Sequence, residues 1–269
     1  MPELPEVEVT RRGLSPHLAG RVITGVVVRE PRLRWPVPRE VRRLAGRAIR
    51  TIRRRGKYLL VDCSDGHLIL HLGMSGSLRM VPPGTPAGKH DHFDLVLGRR
   101  VLRLRDPRRF GAVLWTSGPP EQHPLLAHLG IEPLSRTLTP ARLHALARAH
   151  RTAVKQFLMD SRRIVGIGNI YANESLFRAG INPRTPANRV SADQCTKLAM
   201  AIKHTLRAAI RAGGSSLRDF VAVNGRSGYF QNRYWVYGRE GKACRRCRSP
   251  VRCIVQGQRS TFYCPRCQR

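Results

Sequence analysis

The period of the hydrophobic positions changes part-way along the chain. Through residue 116, apolar residues fall in short β-branched or alternating runs: 21–29 (Val22, Ile23, Val26, Val27, Val28), 58–62 and 67–72. Residues 94–97 and 100–104 form two more such runs, joined at Gly98-Arg99 in the manner of a hairpin, and 113–116 adds another strand. Residues 6–15 read instead as a helix stopped by Pro16. Residues 81–88, with Pro82, Pro83, Gly84 and Pro86, read as an exposed loop. From residue 140 the spacing becomes helical, over 140–149, 153–160, 169–179 and 192–212. A stretch rich in Gly, Ser and Asn (213–232) then leads into a cysteine-bearing tail. The pattern predicts an α+β multidomain chain. Residues 1–130 form a β-sandwich or flattened barrel with flanking helices, 131–235 a helical bundle, and 236–269 a small hairpin module. A cleft between the first two is the expected ligand site.

Charge says what that ligand is. The 269 residues carry 49 Lys and Arg against 17 Asp and Glu, a formal net charge of +32. Six of the basic residues are lysine and the rest arginine. Composition bias accounts for a preference of Arg over Lys but not for the shortage of acids, so a polyanionic partner is expected. Nucleic acid fits better than a membrane, because no basic amphipathic segment of the membrane-surface kind is present. With aromatics at only 6%, a duplex binder is favoured over a single-strand binder built on stacking platforms. No apolar run approaches the roughly 18–20 residues of a membrane span and no signal-peptide pattern is seen, so a cytoplasmic protein is expected.

Seven cysteines divide into three scattered singles (Cys63, Cys195, Cys253) and a set: Cys244-x2-Cys247, sixteen intervening residues, Cys264-x2-Cys267. Each C-x-x-C turn aims two thiolates at one point, and the intervening length suits a β-hairpin that brings the pairs together around Zn²⁺. Four sulfurs leave no open coordination position, so the metal is read as structural. The alternative is a redox or disulfide framework.

The N-terminus carries candidate chemistry. Met1-Pro2-Glu3-Leu4-Pro5-Glu6-Val7-Glu8 holds three of the scarce acids. With Met1 removed, Pro2 presents a secondary amine that titrates near pH ~8 and attacks an aldehyde-like carbon to give an iminium ion, an electron sink. Glu3 is placed to move protons. The plain alternative is a proline-rich arm with solvated acids.

Further along, Gly166-Ile167-Gly168-Asn169 precedes a helix whose free N–H groups suit a backbone phosphate, or is a tight turn with an ordinary cap. Lys57 ends the basic run Arg53-Arg54-Arg55-Gly56-Lys57 ahead of a strand; its amine can titrate where Arg cannot. Met74, in Leu72-Gly73-Met74-Ser75-Gly76, and Phe110, in Asp106-Pro107-Arg108-Arg109-Phe110-Gly111, are either core residues or apolar wedges flanked by Arg, of the kind that unstack a duplex. Lys89-His90-Asp91-His92 is either a metal site or a phosphate contact.

Taken together, these motifs closely resemble the bacterial formamidopyrimidine-DNA glycosylase family over essentially the whole chain. Besides the N-terminal octapeptide and the four cysteines, they include His71-Leu72-Gly73-Met74-Ser75-Gly76, Asp106-Pro107-Arg108-Arg109-Phe110-Gly111 and Gly168-Asn169-Ile170-Tyr171-Ala172. The resemblance implies an N-terminal β-sandwich, a helix-two-turn-helix bundle and a zinc-finger hairpin with one structural Zn²⁺. It implies a monomeric base-excision enzyme of the bacterial cytoplasm and nucleoid that acts on damaged double-stranded DNA without a small-molecule cofactor. In that family's chemistry Pro2 is the nucleophile at the sugar C1′ and Glu3 the acid that helps open the ring. Lys57 takes part in proton transfer near the lesion, and Arg259 at the hairpin tip holds the flanking phosphates. Met74, Arg108 and Phe110 match the trio that fills the gap left by a flipped nucleotide, with Arg108 facing the orphaned cytosine. His90, Arg151 and Asn169 match phosphate contacts, and a loop over 221–229 folds over the flipped base.

Two other classes remain open on residues alone. A non-catalytic nucleic-acid binder leaves Pro2 and Glu3 without a role. A small-molecule enzyme using an N-terminal proline base leaves the charge and the finger without one. The branch of the family that excises oxidised pyrimidines shares the proline, but Leu4-Pro5 and the complete void-filling trio favour the purine branch.

Overall fold

The computed structural model describes residues 2–215 and 229–269. The chain divides into two compact units: Met1–His128 with Ala212–Tyr229, and Leu129–Arg211 with Phe230–Arg269.

The first unit opens with α1 (Leu4–Leu18). This helix is longer at both ends than the expected 6–15. Its start is set by a capping box: the Glu3 carboxylate accepts from the Glu6 N–H, and Glu6 Oε2 accepts from Glu3 N at 2.9 Å. Pro5, in the first turn, gives up an N–H that would have no helical partner. Pro16 does not stop the helix, because it sits in the last turn. There one missing backbone bond is outweighed by full burial of Leu14 and Leu18 on the same face.

The strands follow: β1 (Gly25–Val28), β2 (Ile49–Arg55), β3 (Tyr58–Cys63), β4 (Gly66–His71), β5 (Ser77–Val81), β6 (Asp91–Val96), β7 (Val101–Arg105) and β8 (Ala112–Thr116). They form two antiparallel four-stranded sheets, ordered β2-β3-β4-β8 and β1-β6-β7-β5. The valine-rich run 21–29 is not one strand. Ile23 N donates to Arg47 O and Ile49 N to Arg21 O, while residues 25–28 pair with β6. The chain therefore changes partner at Thr24, linking the edges of both sheets. The basic run 53–55 lies inside β2 rather than ahead of a strand. Only Ile49 and Ile52 of β2 are buried, and arginines take four of the other five positions, with Arg53 on Asp62 and Arg54 on Glu8. Leu59, Val61, Leu68, Leu70 and Val113 from one sheet share a core with Leu78, Phe93, Leu95, Leu102 and Leu104 from the other, joined by Val7, Leu14 and Leu18 of α1.

The second unit contains α2 (Pro140–Arg148), α3 (Val154–Met159), α4 (Asn169–Ala179) and α5 (Ala192–Arg211), close to the helices expected. Its strands β9 (Arg252–Gln256) and β10 (Arg259–Tyr263) form the cysteine-bearing hairpin. That hairpin is seated on α4. Phe177 packs with Val236, Cys244, Val251 and Cys264, and stacks on Trp235 at 5.5 Å between ring centroids. The buried Glu174 carboxylate accepts from the N–H groups of Trp235, Val236 and Tyr237 at 2.9–3.1 Å, fixing the chain as it enters the finger. Burial pushes the Glu174 carboxyl up, against the opposing pull of those three donors. Among the described residues no helix is long and apolar enough to cross a membrane.

Candidate nucleic-acid interface and metal centre

In the first unit, the capping box places Glu3 at the N-cap of α1, 3% exposed, with Pro2 buried immediately before it. Glu6, fully buried, spends its second oxygen on Ser215 N at 2.8 Å. One carboxylate thus fixes the backbone at Glu3 and ties it to chain that returns two hundred residues later. The third acid of the segment, Glu8, is structural. Burial alone would raise its carboxyl, but hydrogen bonds from Arg11 and Arg12 and the charges of Arg11 and Arg54 hold it down at about 2. The fate of Met1 lies outside the described residues.

Lys57 occupies the two-residue turn of the β2–β3 hairpin, after Gly56 at φ 56°, and is half-buried. Close to it is a residue the sequence reading passed over, His71. Burial, together with the charges of Lys57 and Arg34, lowers this imidazole to about 4, so it is neutral near pH 7. Its Nδ1 accepts from Gly73 N at 3.1 Å, which leaves the ring proton on Nε2. The ring also packs on Tyr58 at 4.7 Å. The uncharged ring is thus tied to the loop carrying Met74 and feels the charge of Lys57.

The two loops with candidate wedges lie against each other. Phe110 is 42% exposed, which is large for an aromatic side chain and excludes the core reading; Met74 is half-buried. The Arg108 guanidinium lies 4.9 Å from the Phe110 ring centroid, a cation–π pair at the protein surface. His90 is half-buried just before β6, and its carbonyl accepts from Asp106 N at 2.9 Å.

In the second unit, Gly168 is the N-cap of α4 and Asn169 its first helical residue, so Asn169 is not the cap. Its Nδ2 donates to Ser260 O in the hairpin at 3.0 Å. Lys155, 1% exposed, donates to the same carbonyl at 3.0 Å and to Thr261 Oγ1 at 2.6 Å. Asn173 Oδ1 accepts from Phe262 N at 2.7 Å. Three side chains from α3 and α4 thus hold β10 and fix its first residue, the exposed Arg259. The hairpin turn Gly257-Gln258 has φ of 53° and 59°, a left-handed pair that matches the twist of two-residue hairpins. Arg151 is exposed between α2 and α3. The proposed loop over 221–229 lies outside the described residues except for Tyr229, which is 65% exposed.

Cys244, Cys247, Cys264 and Cys267 bring their Sγ atoms within 4.8 Å of one another. A tetrahedron with Zn–S of about 2.3 Å needs sulfurs about 3.8 Å apart, so the set fits one Zn²⁺ with all four positions filled by protein. Supporting bonds fix the knuckles: Cys244 N to Ser249 O at 2.8 Å, Arg246 N to Cys244 Sγ at 3.4 Å and Cys264 N to Gln268 Oε1 at 2.9 Å. Cys63 and Cys195 are buried away from this set.

The comparisons with known proteins agree with this arrangement. Three family models match: the formamidopyrimidine-DNA glycosylase N-terminal domain over residues 1–113, the H2TH domain of that family over 129–221, and the zinc finger found in FPG and IleRS over 241–269. Formamidopyrimidine-DNA glycosylases from Herminiimonas arsenicoxydans and Aromatoleum aromaticum are each 58% identical, with 100% of both chains covered. Among solved structures, the MutM (Fpg) protein of Thermus thermophilus superposes with TM-score 0.90 at 38% identity, covering 99% of this chain and 98% of that one. A point mutant of Lactococcus lactis FPG in complex with Fapy-dG-containing DNA gives TM-score 0.92 at 33% identity, with both chains fully covered. The chain belongs to the formamidopyrimidine-DNA glycosylase family and is a DNA-repair glycosylase with a four-cysteine zinc finger.

Proposed function

We propose that the enzyme removes oxidised purines, 8-oxoguanine and formamidopyrimidines, from duplex DNA through a Schiff base on Pro2, and then cuts the strand by β,δ-elimination. The observation that carries this reading is the buried Pro2-Glu3 pair. A polycationic chain has fixed its N-terminal dipeptide with a capping box and a long-range tie, the opposite of a solvated arm.

The Pro2 amine attacks C1′ and the damaged base departs. Glu3 supplies the proton that opens the deoxyribose ring, leaving an iminium ion between Pro2 and the sugar. That cation acidifies the adjacent sugar proton, so the 3′ and then the 5′ phosphate leave. Lys57 moves protons beside the lesion. Arg259 holds the flanking phosphates, with His90, Arg151 and Asn169 on the same backbone. Met74, Arg108 and Phe110 fill the vacated stack, Arg108 facing the orphaned cytosine. The zinc supplies no chemistry; with four cysteines around it, it shapes the hairpin that presents Arg259. Functional parts at 1–130, 131–235 and 236–269 follow these roles, and the enzyme works as a monomer, without a small-molecule cofactor, on nucleoid DNA.

Borohydride trapping tests this, using protein whose N-terminal residue is verified as proline by mass spectrometry. A covalent band on a duplex with one 8-oxoguanine opposite cytosine, mapped to the Pro2 peptide, is expected. A band mapped to Lys57 overturns the nucleophile assignment. Trapping on an oxidised-pyrimidine duplex in preference to 8-oxoguanine overturns the lesion assignment; the Lactococcus relative has been crystallised with oxidised-pyrimidine DNA, so that substrate belongs in the series.

A further inference from the structure

Asp106 is fully buried. Its carboxylate is shared between the two loops that carry the void-filling side chains. Oδ1 accepts from Ser75 Oγ at 2.8 Å and from Arg108 N at 3.3 Å, and Oδ2 accepts from Gly111 N at 2.7 Å. The first donor flanks Met74, the second belongs to Arg108 itself, and the third follows Phe110. The backbone of Asp106 is held as well: its N–H donates to His90 O at 2.9 Å, and its carbonyl is 2.9 Å from the buried His92 Nε2. The loops also touch directly. A Cβ on Gly73, at φ 59°, would lie 2.3 Å from the Phe110 carbonyl carbon, and one on Gly111 would lie 2.8 Å from His71 O.

A carboxylate taken wholly out of water is costly, and the donors that meet this one are neutral. A hydrophobic residue at this place would serve a sandwich core better. What the carboxylate does that an apolar side chain does not is fix the spacing between two otherwise separate loops.

We infer that Asp106 is a positioning residue for base extrusion: it locks the Met74 loop to the Arg108–Phe110 loop so that the three side chains enter the duplex as one rigid wedge. This rests on the reading that those three side chains fill the gap left by the lesion. Asp106 touches no DNA and takes no part in the chemistry at C1′. Its loss slows the extrusion of a stacked base and spares chemistry on a sugar that has no base to extrude.

The test compares two substrates. Single-turnover excision of 8-oxoguanine opposite cytosine requires extrusion; borohydride trapping and cleavage at a preformed abasic site do not require removing a base from the stack. Asp106→Asn keeps the shape but turns an amide NH2 toward an N–H or O–H donor. It is expected to slow excision by at least about tenfold while abasic-site cleavage stays within about threefold. A 2-aminopurine beside the lesion should report the same delay as a slower fluorescence rise. Ser75→Ala removes a single tie and should shift the same ratio in the same direction by a smaller factor. Equal slowing on both substrates in the two variants, or no slowing in either, overturns the proposal. If Asp106→Asn does not fold, Ser75→Ala decides alone. Failure of the wild type to trap at the abasic site would instead overturn the Pro2 reading, a result separate from these.

Discussion

Glu8 shows how a carboxylate close to the proposed Pro2–Glu3 pair can be structural. Three arginines surround it, and its carboxyl is held at about 2 against the usual 4.5. A depressed folded-state value means that the stabilisation is fully present above about pH 4.5 and is lost as pH falls toward 2. Glu8→Gln should therefore lower stability at pH 7 by about 1–3 kcal/mol. The gap to wild type should narrow below about pH 4.5 and close only as pH falls through about 2, as read by chemical denaturation across that range. A gap that persists at low pH would show that shape rather than charge is responsible. At this scale the sequence was a partial guide. It marked the octapeptide because acids are rare in this chain and singled out Glu3, yet gave Glu6 and Glu8 no role. Their roles depend on partners, Ser215 and Arg54, that no local pattern reveals. Asp106 and His71 each head a motif quoted from the sequence, but what they do lies in contacts across loops that the motif does not reveal.

At the scale of elements, hydrophobic period located the four later helices well; α2 and α5 each bury one face, whereas α4 is buried all round from Ile170 to Phe177. It failed at β2, where two buried isoleucines stand among four arginines and Arg53 and Arg54 are held in ion pairs, and at the run 21–29, where two sheets share one stretch of chain. The hairpin β9–β10 carries Arg259, on which the proposed reaction leans. Its cysteines were legible from spacing. Its seat on α4 was not, since Lys155, Asn169, Asn173 and Glu174 reach it from far along the chain. Cys247→Ser should abolish bound zinc, measured by elemental analysis, and weaken duplex binding at least about tenfold. Helical content should fall little, since α2 and α5 pack on each other independently of the hairpin. Zinc retained at one ion per chain would refute the ligand set.

For the molecule as a whole, a formal charge of +32 predicts binding governed by displaced counterions. The logarithm of duplex affinity should fall linearly with that of salt concentration, with a slope of about −0.9 for each phosphate neutralised. Arg259→Ala should flatten this slope by about one and leave the distinction between lesion and undamaged duplex nearly intact at the binding step. A slope unchanged by that substitution would remove Arg259 from the phosphate contacts. Net charge was plain from composition, whereas the residues proposed to aim it at particular phosphates come only from the resemblance to the family.

The bond between Glu6 and Ser215 also bears on how the protein is made. The first unit is not a contiguous stretch of sequence: its closing segment begins only at Ala212, after the helices of the second unit have been laid down. Until Ser215 has been synthesised, the bond from its N–H to Glu6 Oε1 cannot form, and the N-cap that carries Pro2 and Glu3 is without that tie. In order of synthesis, the residues translated first are completed nearly last.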